Sequence, residues 1–148
     1  QPNIARKVDR LDTLAANGSG LEGESALDTA VDLVVYVEKY RLYLAQQLPP
    51  GALQPIDASA RLGGEEAGFA FLIDGLDLTP GTRTLAETVA DLNQAFDACW
   101  KGAEDGEPVE TRLVRATALS GYAAEILALL LHGDRQTLAA FLRTWRPA

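Results

Sequence analysis

SALDTAVDLVVYV, residues 25–37, decides the fold. By propensity its Val-Val-Tyr-Val end suits a strand. The apolar pattern, however, runs without a turn signal from Glu24 to Gln46 and breaks only at Pro49-Pro50-Gly51. No ordinary strand is that long. The segment is read as a helix that begins near Glu22–Ser25 and ends near Gln47. Within residues 25–37 the only charges are Asp28 and Asp32, four residues apart, with Glu24 four residues earlier. On a helix the three acids share one stripe about 80° wide. Val31, Val35 and Leu42 fall within or beside that stripe, and Ala30, Leu33, Val37 and Leu44 occupy the opposite side. A helix apolar all round is normally buried. A buried carboxylate costs several kcal/mol unless it is paired or bound to metal, against a total stability of about 5–15 kcal/mol. The expectation is therefore that these acids are compensated.

Working outward, Ile4, Val8, Leu11 and Leu14 predict a first helix from about Asn3 to Ala16, stopped by Asn17-Gly18-Ser19-Gly20. Residues 49–64 read as irregular with a short helix after Asp57, and Glu65 to Ile73 as another short helix ending at Gly75. Thr84-Leu-Ala-Glu87 is a capping-box pattern, and Leu85, Val89, Leu92 and Phe96 continue it as a helix to about Lys101. After a polar loop from Gly102 to Pro108, a fourth long helix runs from Val109 or Glu110 to Leu131. A last helix starts at the N-cap Asp134 and ends before Pro147. A shift of 86 residues lays Glu24, Leu27, Ala30, Leu33, Tyr36 and Leu44 on Glu110, Leu113, Ala116, Leu119, Tyr122 and Leu130. Residues 1–48 and 80–132 thus read as a pseudo-repeat of two tandem helical hairpins. The fold class expected is all-α, an antiparallel four-helix-bundle-like arrangement with extra short helices, in a single domain over residues 1–148.

Composition narrows the function classes. The chain has 148 residues, 47% of them hydrophobic, enough for one real core. A net charge of −8 with scattered basic residues argues against nucleic-acid binding. One cysteine, Cys99, precludes an internal disulfide and fits a cytoplasmic location; beside Trp100 it reads as a packing residue. The single histidine, His132, sits at a helix C-terminus, where a cation is favoured. With one His and one Cys, a Cys/His zinc site or a Glu-x-x-His di-iron site does not form. No leader-like segment is seen, and Ala116 to His132, interrupted by Glu125, reads as a core helix rather than a membrane span.

Glu24, Asp28 and Asp32 are the candidate site. Hard cations such as Mg²⁺ or Mn²⁺ take carboxylate oxygens and are completed by substrate phosphates, so acids at four-residue spacing facing a bundle interior suit such an ion. A second reading fits the same residues: Ser25-x-x-Asp28 is a capping-box pattern, and Asp32 pairs with Lys7 or Arg10 of a neighbouring helix. Glu87 and Asp91 are a further acid pair, read as a solvated face or as the far side of a cation site. Glu125, alone in an apolar helix, stands beside them as a lesser candidate. Tyr36, Tyr40 and Tyr43, with Lys39 among them, read as core and rim packing or as a wall against a base or sugar. Gly18-Ser19-Gly20 and Gly63-Gly64 lack the flanking strand of a phosphate-binding loop.

The stretch Arg6-Lys7-Val8-x-Arg10-Leu11, followed by Glu24-Ser25-x-x-Asp28-Thr29-x-x-Asp32-Leu33-x-x-Tyr36, resembles the helix pair of MazG-like all-α nucleotide pyrophosphohydrolases. It is most similar to their phage and bacterial nucleotide-modification branch, over about residues 4–44. The resemblance implies a helical bundle, often a homodimer, that cleaves a nucleoside triphosphate to a monophosphate and pyrophosphate with Mg²⁺ (or Mn²⁺). It implies Glu24, Asp28 and Asp32 as cation ligands or water-orienting acids, and Lys7 and Arg10, with Lys39, as groups approaching the nucleotide. Where that branch has an acid before the lysine, this chain has Arg6. The family's second acidic pair, an E-x-x-E on a preceding helix, is not found between Gln1 and the motif; either Glu87 and Asp91 replace it as metal ligands, or it lies upstream of Gln1, or the protein is not a competent enzyme. The competing expectation is a helical interaction or regulatory module, or a nucleotide-binding sensor, that kept the hairpin without the chemistry.

Overall fold

A computed structural model describes residues 2–17, 23–79 and 81–131, with side chains described for residues 4–12, 27–79 and 81–131. The helices are α1 (Pro2–Asn17), α2 (Gly23–Ala45), α3 (Pro55–Asp74), α4 (Leu85–Glu104) and α5 (Val109–Leu130). Among the described residues there is no strand, and the all-α expectation holds. The helix predicted from Asp134, the histidine His132 before it and the Gly18-Ser19-Gly20 loop lie outside the described residues.

Four helices close a ring: α1 packs on α2, α2 on α5, α5 on α4, and α4 back on α1. The hairpins α1–α2 and α4–α5 thus face each other. The core fills the ring with Ile4, Val8 and Leu11 of α1, Leu33, Val34 and Val37 of α2, Val89 and Leu92 of α4, and Leu119, Ile126 and Leu127 of α5. Each α1 contribution follows the three- and four-residue spacing of its sequence. The α4 N-terminus carries the full capping box: Thr84 Oγ1 accepts from Glu87 N–H at 3.1 Å, and Glu87 Oε1 accepts from Thr84 N–H at 3.0 Å. Between α4 and α5 the chain turns at Gly106, whose φ of 71° lies in the left-handed region. Arg115 then grips Glu107 with two bonds, of 2.6 and 2.7 Å.

α5 passes the length and composition test for a membrane-crossing helix. In this fold it is the helix shared by α2 and α4, and Leu113, Ala116, Leu119, Ala123, Ile126 and Leu127 are buried against them.

α3 corrects the reading of residues 49–64. After a 3₁₀ turn at Pro50–Ala52, the chain is helical from Pro55, with proline at the start and Asp57 in the first turn. The helix kinks at Gly64, whose φ is 74°. The short helices expected after Asp57 and from Glu65 to Ile73 are thus both present, joined across this break, and the correction is that the first begins already at Pro55. At Gly68 a Cβ would overlap the Ala60 carbonyl oxygen, so glycine is what lets the two halves close up. α3 packs on α2, where Ala60 and Leu72 cover Leu42. That cover rearranges the expected site.

Candidate functional site

The face of α2 that reads as buried is two faces. Val31, Val35, Leu42 and Val34 are buried, but Asp28, Lys39 and Tyr43 form an exposed seam along the same helix, with Asp32 and Tyr36 half-buried in line. The expectation that Asp28 and Asp32 are interior charges is corrected. The apolar residues flanking them belong to the ring core on one side and to the α3 contact on the other, so a narrow outward seam survives between. Asp28 has no hydrogen-bond or ion-pair partner among the described residues. Asp32 meets Lys7 of α1, Nζ to Oδ2 at 3.0 Å, each side chain about a quarter exposed. Arg10 is exposed on α1. Glu24 falls in the first turn of α2, and its side chain is not among those described.

The second acid pair goes elsewhere. Glu87 closes the α4 capping box, and those hydrogen bonds hold its carboxyl below the ordinary range. Asp91 accepts from Arg83 Nη1. Arg83 also donates to both oxygens of Glu125, at 2.7 Å from Nη2 and 3.3 Å from Nε, and its guanidinium lies 5.7 Å from the centre of the Tyr122 ring. Among the described residues no three His, Cys, Asp or Glu side chains gather into a metal-holding group. Cys99 packs on the core as expected, its thiol pushed up to about 11 by burial, which leaves it unreactive.

The polar cluster with the deepest burial is one the sequence did not nominate. Glu38 is fully buried where α2, α3 and α5 meet. Ser120 of α5 donates to its Oε1. Among the described residues its Oε2 has no hydrogen-bond partner, and the Arg41 Nη1 lies 3.6 Å away. Arg41, itself 6% exposed, donates from Nε to Asp57 Oδ1 of α3 at 2.8 Å. Two carboxylates therefore share one guanidinium. Burial, against the Ser120 bond and the Arg41 charge, lifts the Glu38 carboxyl from 4.5 to about 7. One sequence signal was available. Glu38 and Arg41 sit three apart on the apolar side of α2, a spacing at which side chains meet.

Arg41 and Ser120 also line a half-open cavity of about 400 Å³. The size suits a small ligand, for which pockets run about 300–1,000 Å³. Thr117, Gly121, Ala124 and Glu125 of α5 form one side, and Ile56 of α3 with the loop after α3 forms the other. At Gly81 a Cβ would come within 2.7 Å of Glu125 Oε1, so glycine lets this loop close onto α5. The Nη2 group of Arg41 has no hydrogen-bond partner among the described residues.

Compared with models of protein families, with characterised proteins and with solved structures, the chain matches none.

Proposed function

We propose that this chain is a non-catalytic helical binding module, one that kept a MazG-like hairpin and works by holding a ligand rather than by metal-assisted phosphoryl chemistry. The observation that carries the reading is the Lys7–Asp32 ion pair at 3.0 Å. Asp32 is the acid deepest in the α2 motif, and its partner is a side chain of the neighbouring helix. Such a partly exposed pair suits a helix seam and contributes up to about 1 kcal/mol. Glu87 and Asp91, the acids expected to complete a cation site, serve a helix cap and an arginine instead.

One observation favours a second reading, a Mg²⁺-dependent nucleoside triphosphate pyrophosphohydrolase. Asp28 stands exposed one turn before Asp32, on the seam where Lys7 lies, so an acid pair and a basic group share one accessible surface. Pyrophosphate release from each common (d)NTP, with Mg²⁺ or Mn²⁺, separates the two. The binding-module reading expects release at the no-protein background and no difference between the wild type and Asp32→Asn. Turnover that Asp32→Asn abolishes would replace it with the enzyme.

A further inference from the structure

α5 carries a second packing stripe that is left half-open. Thr117, Ser120, Gly121, Ala124 and Glu125 recur at three- and four-residue spacing along one wall of the cavity, the pattern with which a helix meets a neighbour. The most apolar stretch of α5 is only half buried, and Val114, Ala118 and Gly121 on this face are exposed. Ile56, Leu76 and the rest of the loop after α3 form the other wall. The groove is short of partners in two places. Near Glu125 two carboxylates, its own and that of Asp91, share Arg83, and Asp77 lies on the loop that closes onto Glu125. Further along stands Arg41, 6% exposed, bonded by Asp57 and faced by Glu38. Among the described residues its Nη2 donors have no hydrogen-bond partner. A guanidinium balanced by two carboxylates draws no anion, yet buried N–H donors still need acceptors. α2 runs antiparallel to α5, since Glu38 meets Ser120 and Leu44 packs with Leu113, so Arg41 falls near the level of Thr117.

The chain continues past α5 as HGDRQTLAAFLRTWRPA, residues 132–148, outside the described residues. Leu138, Phe141, Leu142 and Trp145 repeat there at three- and four-residue spacing, arginines outnumber the one acid, and Pro147 ends the pattern. We propose that residues 134–146 turn back at Gly133 as a helix antiparallel to α5 and seat this apolar stripe in the groove. A short loop suffices for such a helical hairpin. Both helices rise about 1.5 Å per residue, so a turn centred near His132 brings Leu138 level with Glu125, Leu142 with Gly121 and Trp145 with Ala118. The small side chains of α5 let the backbones approach closely. Arg135 arrives one turn beyond Glu125 and supplies the cation that the carboxylates there share too thinly. The last turn ends beside Arg41. The last four carbonyls of a helix have no partner within it, and arginine donors are among the groups that satisfy them. This contact goes beyond the binding-module reading and is independent of it: pyrophosphate release, or its absence, leaves it unchanged, and its failure leaves the pyrophosphate result unchanged.

A nitroxide spin label on the full, isotope-labelled chain tests the contact. The label is attached at Arg143→Cys, on the far side of the segment from its apolar stripe, in a Cys99→Ala background. Amide signals are compared with the label oxidised and reduced. The expected result is that Thr117, Gly121, Leu76 and Thr79 lose most of their intensity, while the amides of α1, across the ring from α5, keep theirs. Gly121→Leu supplies the control, because a Cβ built there meets nothing within 4 Å and the side chain then fills the stripe. It should keep a folded spectrum and restore the groove signals, as should Leu142→Asp from the other side of the contact. In a mixture of spin-labelled chain without isotope and isotope-labelled chain without spin label, the groove signals should be unaffected. Broadening in that mixture would assign the groove to a second copy and overturn the proposal. Loss centred on another face, no localised loss, or loss that survives both variants would overturn it as well.

Discussion

Glu38→Gln should make this protein more stable near neutral pH, although it removes a charge that faces an arginine. In the folded state burial raises the Glu38 carboxyl from 4.5 to about 7. The unfolded chain ionises it at the ordinary value. Between those two pH values the native state holds a proton that the unfolded state has released, so stability falls as pH rises. At about 1.4 kcal/mol per unit, the wild type loses about 3 kcal/mol on going from below pH 5 to above pH 7. It loses nothing further on that account at higher pH. The groups facing Glu38 are Ser120, Arg41 and Asp57. Glutamine keeps the shape, can accept from Arg41 and can donate to Ser120. Urea denaturation at several pH values across this window, read by tryptophan fluorescence, gives the free energies. A His132→Gln background removes the chain's single histidine, a residue type whose reference value is about 6.5. The depressed carboxyls Glu87 and Glu107 lose their contributions only at lower pH, because their folded values lie under the ordinary one. In that background stability should decline with pH for Glu38 and be flat for Glu38→Gln, the two diverging by about 3 kcal/mol at the alkaline end. A wild-type stability that stays level or climbs across the window would refute the reasoning.

The other expectations concern neighbouring contacts. Asp57→Ala should destabilise by about 3–5 kcal/mol in urea unfolding, because it strips Arg41 of its closest partner in a buried setting. A double-mutant cycle on Lys7 and Asp32, with methionine and asparagine as replacements, should give a coupling below about 1 kcal/mol that shrinks with added salt. Thr84→Ala should cost about 1 kcal/mol through loss of the α4 capping box, measured in the same way.

Helical periodicity carried most of the architecture. The α1 spacing, the Thr84–Glu87 box and the length of α2 each depend on near neighbours in the chain, and each appears where its residues predict it. α3 was less legible. Its first half is short, stands behind Pro49-Pro50-Gly51, and ends at two glycines, so local pattern reads it as an irregular stretch with only a short helix after Asp57. That single gap displaced the site. Without α3 there is no cover for Leu42, no partner for Arg41 from Asp57, and no reason to bury Glu38. The pattern of α2 then leaves Asp28 and Asp32 as its conspicuous charges. With α3 in place, the charges that matter to the interior are the next pair along the helix, Glu38 and Arg41. Lys7 as the partner of Asp32 was legible, since the residue spacing brings α1 against α2. Arg83 as the shared partner of Asp91 and Glu125 was not, because it comes from a loop.

The account turns on whether Asp32 serves the ion pair with Lys7 or, with Asp28, a cation site, and Mn²⁺ titration of the isotope-labelled chain tests that most directly. A paramagnetic ion bound at Asp28 and Asp32 would broaden the surrounding amides in proportion to occupancy. The account predicts that amides from residues 28 to 36 broaden no more than those beside exposed acids elsewhere, such as Asp97 and Glu104. Selective, stoichiometric loss of the residue 28–36 signals, absent in Asp32→Asn, would contradict it.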